Sequence, residues 1–325
     1  MKLEHLDGML DKKIIFVTGK GGVGKSTVSA GLAHCLAEQG DTVMTIDADP
    51  AHSLPDVFGV TEKVYGSKKG FMSNGKIVRV YGDTKLDLLL LNPLSQREKY
   101  TGSHRIMWLA ELGKEMGFYS NLGRMSEFFT LADTLYKSFG RYDHFVIDNE
   151  PSAGTLDMIE NINGWIDGLN NVKKYKLIFN MVLTAGIKDK QLVQEAKDIM
   201  FGQNGTAVEE YKQTLRSIKK LFTNTEHFEP VIVASPEDAV IRETHRLRSE
   251  LEVRLDIPNY YVIFNKVMEE NPDVREQQYK KMEQFEKETG TVCKRVSYLN
   301  PNAIDLSCEQ TARKSLRMIV NSIHI

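Results

Sequence analysis

The sequence predicts an α/β fold, a mostly parallel sheet flanked by helices. Three observations point there. Near the N-terminus a strand, a glycine-rich turn and a helix follow one another and run into a second strand. Further apolar runs bounded by turn signals recur down the chain and alternate with helical patterns. The composition, 41% hydrophobic and 26% charged, is that of a soluble globular chain, and 325 residues are enough to bury a sizeable core.

The first strand spans residues 13–18 (KIIFVT). The apolar-periodic stretch 25–39 reads as a helix that Gly40-Asp41 ends, and residues 42–46 (TVMTI) give the second strand. This is a βαβ unit, expected to be right-handed with parallel strands. Later strands are expected at 86–91, 144–147, 230–234, 260–264 and 292–298. Two stretches, about 102–140 and about 155–222, are helix-rich, lack the βα rhythm and read as helical insertions on a single domain of residues 1–325. Residues 176–183 (KLIFNMVL) fit a strand or a buried helix segment equally, because a short apolar run has no decisive period.

The 42 Lys and Arg against 44 Asp and Glu leave a net charge of −2, so no global field favours nucleic acid or an anionic membrane. An anion site has to be local. Residues 1–13 carry no apolar signal region and no stretch has the roughly 18 apolar residues needed to cross a bilayer, which predicts a cytosolic protein without a transmembrane segment. Cys35, Cys293 and Cys308 have no C-x-x-C spacing and read as buried thiols.

That local anion site is written in Gly19-Lys20-Gly21-Gly22-Val23-Gly24-Lys25-Ser26, which satisfies G-x-x-x-x-G-K-[ST] between a predicted strand and a predicted helix. Glycines let the backbone wrap a polyphosphate with its N–H groups and the helix N-terminus facing the anion. Lys25 supplies a point charge and Ser26 a Mg²⁺ ligand. Residues Gly19 through Thr27 are thus the expected nucleotide-binding segment of a P-loop NTPase, with ATP and Mg²⁺ as its ligands. Lys20 is unusual: a long cation inside the loop points away from its own glycine cradle and is better placed to reach a neighbouring subunit's phosphates. Asp49 follows the second strand and is expected to face the γ-phosphate as a catalytic residue with Lys20 and Lys25. Asp148, at the end of a strand beside the loop, is placed to hold Mg²⁺ through water.

The K-G-G-x-G-K-[ST] form resembles the deviant Walker A loop of the MinD, ParA, nitrogenase-iron-protein and ArsA class, the SIMIBI P-loop NTPases. Asp47-Ala48-Asp49-Pro50-Ala51-His52-Ser53-Leu54 resembles the first switch of ArsA and of the ATPase that delivers tail-anchored membrane proteins. Asp148-Asn149-Glu150-Pro151-Ser152-Ala153-Gly154-Thr155-Leu156 is similar to that family's second switch but lacks its Thr-Ala pair and has Gly154 where the family has His. Glu243-Thr244-His245-Arg246-Leu247 is similar to a helix of the same family, and Asn265 matches its base-binding Asn. Met268 stands where a guanine-reading site wants an acid, so adenine is favoured. The C-x-x-C pair that gives the targeting ATPases a zinc clasp is missing after Asn265, and the arsenite-binding cysteines have no counterparts.

The resemblance implies a Mg-ATP-dependent ATPase that works as a homodimer, switches between open and closed, and binds a client such as a hydrophobic helix. Met107, Met116, Met125, Met158 and Met181, in the insertions, are candidates for the client surface. Two rival readings share the fold: a metallocofactor-assembly ATPase that receives an apo-metalloenzyme, and a MinD- or ParA-like positioning protein. Residues 315–325 are short and weakly charged for a membrane-binding helix of the MinD kind.

Overall fold

The computed structural model describes residues 9–49, 51–66, 77–91, 130–132, 134–149, 154–171, 194, 197, 206–298 and 304–324. The chain forms two compact units, one of Met1–Leu91, Lys137–Ala153 and Thr223–Ile325, the other of Asn92–Tyr136 and Gly154–Phe222.

The first unit is built on strands β1 (Ile14–Thr18), β2 (Val43–Asp47), β3 (Ile77–Arg79), β4 (Leu86–Leu90), β5 (His144–Asp148), β6 (Phe228–Ala234), β7 (Tyr261–Val267), β8 (Cys293–Ser297) and β9 (Ile323–His324). They form one sheet in the order β3-β4-β2-β5-β1-β6-β7-β8-β9. From β4 to β8 every pairing is parallel, and only the edge strands β3 and β9 run antiparallel. Strands buried on both faces need no alternation, which is why β1 is the unbroken apolar run IIFVT with every residue buried. Two and three residues are too few to show a period, so β9 and β3 escape a reading of the sequence. Such short edges also offer little backbone to a second sheet.

Helix α1 (Lys25–Gln39) connects β1 to β2 and ends on Gly40, whose left-handed φ of 105° turns its N–H back onto the carbonyls of Leu36 and Ala37. Short helices α2 (Leu54–Val57) and α3 (Thr61–Tyr65) follow β2. Later in the unit come α6 (Asp238–Ser249), which continues into a π-helical turn at Glu250–Arg254, then α7 (Pro272–Thr289) and α8 (Glu309–Asn321). Helix α8 lies against α1 at Gly31, where a Cβ would stand 2.9 Å from Cγ2 of Val320.

In the second unit the described elements include α4 (Gly154–Asn171) and α5 (Thr206–Thr223). Leu156, Ile159, Ile162 and Ile166 of α4 are buried at helical spacing, as are Leu215, Ile218 and Phe222 of α5. The buried Lys212 ammonium donates to Oδ1 of Asn170 at 2.7 Å. Residues 176–183 and the side chains of Met107, Met116, Met125, Met158 and Met181 lie outside the described residues.

The thiols need one correction. Cys35 and Cys293 are buried, and burial pushes them up to about 11 and about 12, whereas Cys308 is exposed at the N-cap of α8. Cys308 stands outside the apolar spacing of α8, whose buried residues are Ala312, Ser315, Leu316, Ile319 and Val320, so nothing draws it inside. Among the described residues no helix is long and apolar enough to cross a membrane.

Candidate functional site

Parallel strands all end on the same edge of the sheet, and the chemistry-bearing residues collect there. Gly19 leaves β1 with φ +144°, and a Cβ on it would come within 2.1 Å of the Val233 carbonyl oxygen of β6, so only glycine fits between the two strands. Lys20, Gly21 and Gly22 are exposed and Val23 is buried. Gly24 caps α1 with φ +94°, and a Cβ there would meet Nδ2 of Asn265 at 2.3 Å. The loop therefore takes its shape from strand ends far away in sequence. Asn265 Nδ2 donates to the Val23 carbonyl at 2.9 Å, and Lys266 Nζ to the Gly22 carbonyl at 2.6 Å.

Lys25 and Ser26 open α1, followed by Thr27. Lys25 is 6% exposed, although its head is an ammonium, and its Nζ lies 3.5 Å from the Lys20 carbonyl oxygen. A lysine held this deep in the first turn of a helix, behind a glycine-rich loop, marks a place built for an anion.

Two carboxylates stand side by side on adjacent strands near the loop. Asp47 ends β2 and Asp148 ends β5, they pair in register, and both are fully buried. Ser29 of α1 donates to Oδ1 of Asp148 at 3.1 Å, while Oδ2 has no hydrogen-bond partner. Burial pushes the Asp148 carboxyl up to about 7; the Ser26 hydroxyl, Ser29 and the Lys25 charge oppose this, and the neighbouring Asp47 adds to it. Burial likewise raises Asp47, against its contacts with His52 and the Leu54 N–H. Ser26 thus favours the charged form of Asp148 without a well-formed bond to Oδ2, which stays open. Asp49, two residues beyond Asp47, is half-buried, and its Oδ1 accepts the Ala51 N–H at 2.9 Å.

The donor set fits a hard divalent cation. Asp148 offers an orphaned, buried carboxylate oxygen beside a serine hydroxyl, both oxygen ligands of the kind Mg²⁺ selects. Among the described residues no group of three or more His, Cys, Asp or Glu is gathered to hold a metal. A cation here would keep water and phosphate oxygens in its shell.

The predicted residues Gly19 to Thr27, Asp49, Asp148 and Asn265 all lie in the first unit, around the ends of β1, β2, β5 and β7. Sequence reasoning missed Asp47, Ser29 and Lys266. The signal for Asp47 was its place as the first acid of Asp47-Ala48-Asp49, at a strand's end. Residues 150–153 of the second switch lie outside the described residues.

The family model for anion-transporting ATPases, the ArsA ATPases, matches residues 12–296. The chain belongs to this family. It is an ArsA-family ATPase and binds nucleotide. Relatives include the ATPase GET3A of Arabidopsis thaliana, 26% identical over 264 residues that cover 81% of this chain and 69% of that one. The putative arsenical pump-driving ATPase 2 of Aquifex aeolicus (strain VF5) is 28% identical over 276 residues, 80% of this chain and 82% of its own. The ATPase ASNA1 homolog 2 of Paramecium tetraurelia is 28% identical over 264 residues, with 79% and 76% covered.

Proposed function

We propose that this ArsA-family ATPase is a cytosolic, Mg²⁺-dependent homodimer that couples ATP hydrolysis to opening and closing around a hydrophobic-helix client. The observation that carries the catalytic half is the deeply buried Lys25 beside the orphaned Oδ2 of Asp148. Lys25 binds the β- and γ-phosphates, and the loop from Gly19 to Thr27 wraps the rest through its N–H groups. Ser26 and Asp148 would hold Mg²⁺, Asp148 through water, and the ion would supply positive charge against the phosphates. Asp49 orients the attacking water. Asn265 holds the Val23 carbonyl and borders the adenine side of the site. Lys20, exposed on its own loop, reaches the nucleotide of the second subunit, so each site is complete only in the dimer.

The client half rests on relatedness. The first-switch sequence around Asp49, which resembles that of ArsA and of the ATPase that delivers tail-anchored membrane proteins, favours a delivery ATPase over a metallocofactor-assembly one. The test is co-expression of the Asp49→Asn protein with a panel of tail-anchored segments and of apo-metalloenzymes. Nucleotide-dependent capture of a hydrophobic segment is expected. Capture of an apo-metalloenzyme alone would replace the delivery reading with the assembly one.

A further inference from the structure

The loop that carries Asp49 is tied at both ends to the buried acid before it. Asp47 takes the Leu54 N–H on Oδ2 at 3.0 Å, which anchors the start of α2. Its Oδ1 faces Nδ1 of His52 at 3.5 Å. That separation is too long for a well-formed N–H···O bond, yet neither atom has another hydrogen-bond partner. The His52 side chain is 9% exposed and that of Asp47 0%, so water does little to relieve two desolvated polar atoms that have only each other.

The backbone adds a second, independent sign. His52 adopts φ 47°, a left-handed conformation uncommon outside glycine although His enters it more readily than most, and its N–H donates to the Asp49 carbonyl at 2.9 Å. The turn therefore ties His52, which faces Asp47, to Asp49, and the Asp49 carboxylate is held within it by the Ala51 N–H. Strain of this sort persists where the surroundings over-determine it, and it gathers at functional loops.

We propose that Asp47 and His52 are a positioning pair for hydrolysis. The His52 Nδ1–H donates to Oδ1 of Asp47 as the loop closes on nucleotide, and the shortened contact sets the Asp49 carboxylate against the attacking water. The pair touches no substrate; it acts through Asp49, so the inference rests on the role given to Asp49 above.

The experiment measures steady-state turnover, KM and nucleotide affinity for His52→Ala, His52→Asn, Asp47→Asn and the Asp47→Asn/His52→Ala double variant, beside Asp49→Asn. His52→Ala should lose about 10- to 100-fold in kcat with KM and ATP affinity within about 3-fold, the signature of lost orientation rather than lost binding. His52→Asn should restore most of that loss, because its amide N–H sits where Nδ1–H did and Asn tolerates the left-handed backbone. The double variant should be no slower than the slower single one, as for two halves of one contact. Equal losses in His52→Ala and His52→Asn, or losses that multiply in the double variant, would overturn the pair. Full turnover in His52→Ala while Asp49→Asn is inactive would sink the pair alone; full turnover in Asp49→Asn would sink the role of Asp49 and the pair with it.

Discussion

At the scale of single residues, the sheet holds several acids that folding pulls out of water, and their costs are not equal. Asp148 is compensated by Ser29, Ser26 and Lys25. Glu229, on β6, has only the Lys12 charge to oppose burial; Oε1 is unpartnered and the carboxyl is pushed up to about 7 from 4.5. Because the folded state holds this proton more tightly than the unfolded one, the contribution of Glu229 to stability is full below 4.5 and is lost as pH rises through about 7. Glu229→Gln, a neutral isostere of the protonated acid, should therefore melt higher than the parent at about pH 8 and show a flatter dependence of Tm on pH across that window. Denaturation scans at several pH values check it, and an unchanged pH slope would contradict it. A second residue-scale expectation concerns Gly24: Gly24→Ala meets both the positive φ and Nδ2 of Asn265, so ATP affinity should fall by about 10-fold or more. Isothermal titration with ATP reads it directly.

At the scale of elements, α1 links the phosphate loop to the C-terminal helix α8 through the bare face of Gly31. Gly31→Val should overpack that contact and cost about 2 kcal/mol, and Val320→Ala in the same chain should recover part of the loss, since the two side chains compete for one space. Urea unfolding of the singles and the double reads it; strictly additive losses would mean that the helices do not meet there. The elements also mark how far the sequence could be read. Helix α1 and strands β1 and β2 were legible because a caps-and-period signal is local: Lys25 opens the helix and Gly40 closes it. The loop was legible because its chemistry demands glycines at fixed spacing. What held the loop was not legible. The bond from Asn265 to Val23 spans 242 residues, and no spacing rule encodes it. Asp47 read as one letter of a motif, since a lone acid carries no mark of burial until β5 places Asp148 beside it.

At the scale of the whole molecule, the role proposed for Lys20 requires two chains. Lys20 is exposed at the edge of its own site, and its proposed partner is the nucleotide of the other subunit. Mixing Lys20→Ala chains with Asp49→Asn chains should give activity unlike either parent, in the proportion set by random pairing, whereas a fully active monomer would rule the arrangement out. One edge of the sheet is proposed to bind and hydrolyse ATP, with Lys25 binding and Asp49 acting on water. The most direct measurement takes ATP affinity and Mg²⁺-dependent turnover on the parent, Lys25→Ala and Asp49→Asn proteins side by side. Lys25→Ala is expected to lose binding, while Asp49→Asn is expected to bind ATP within about 3-fold of the parent and to lose turnover by about 100-fold or more. Unchanged turnover in Asp49→Asn, or undiminished ATP binding in Lys25→Ala, would contradict it.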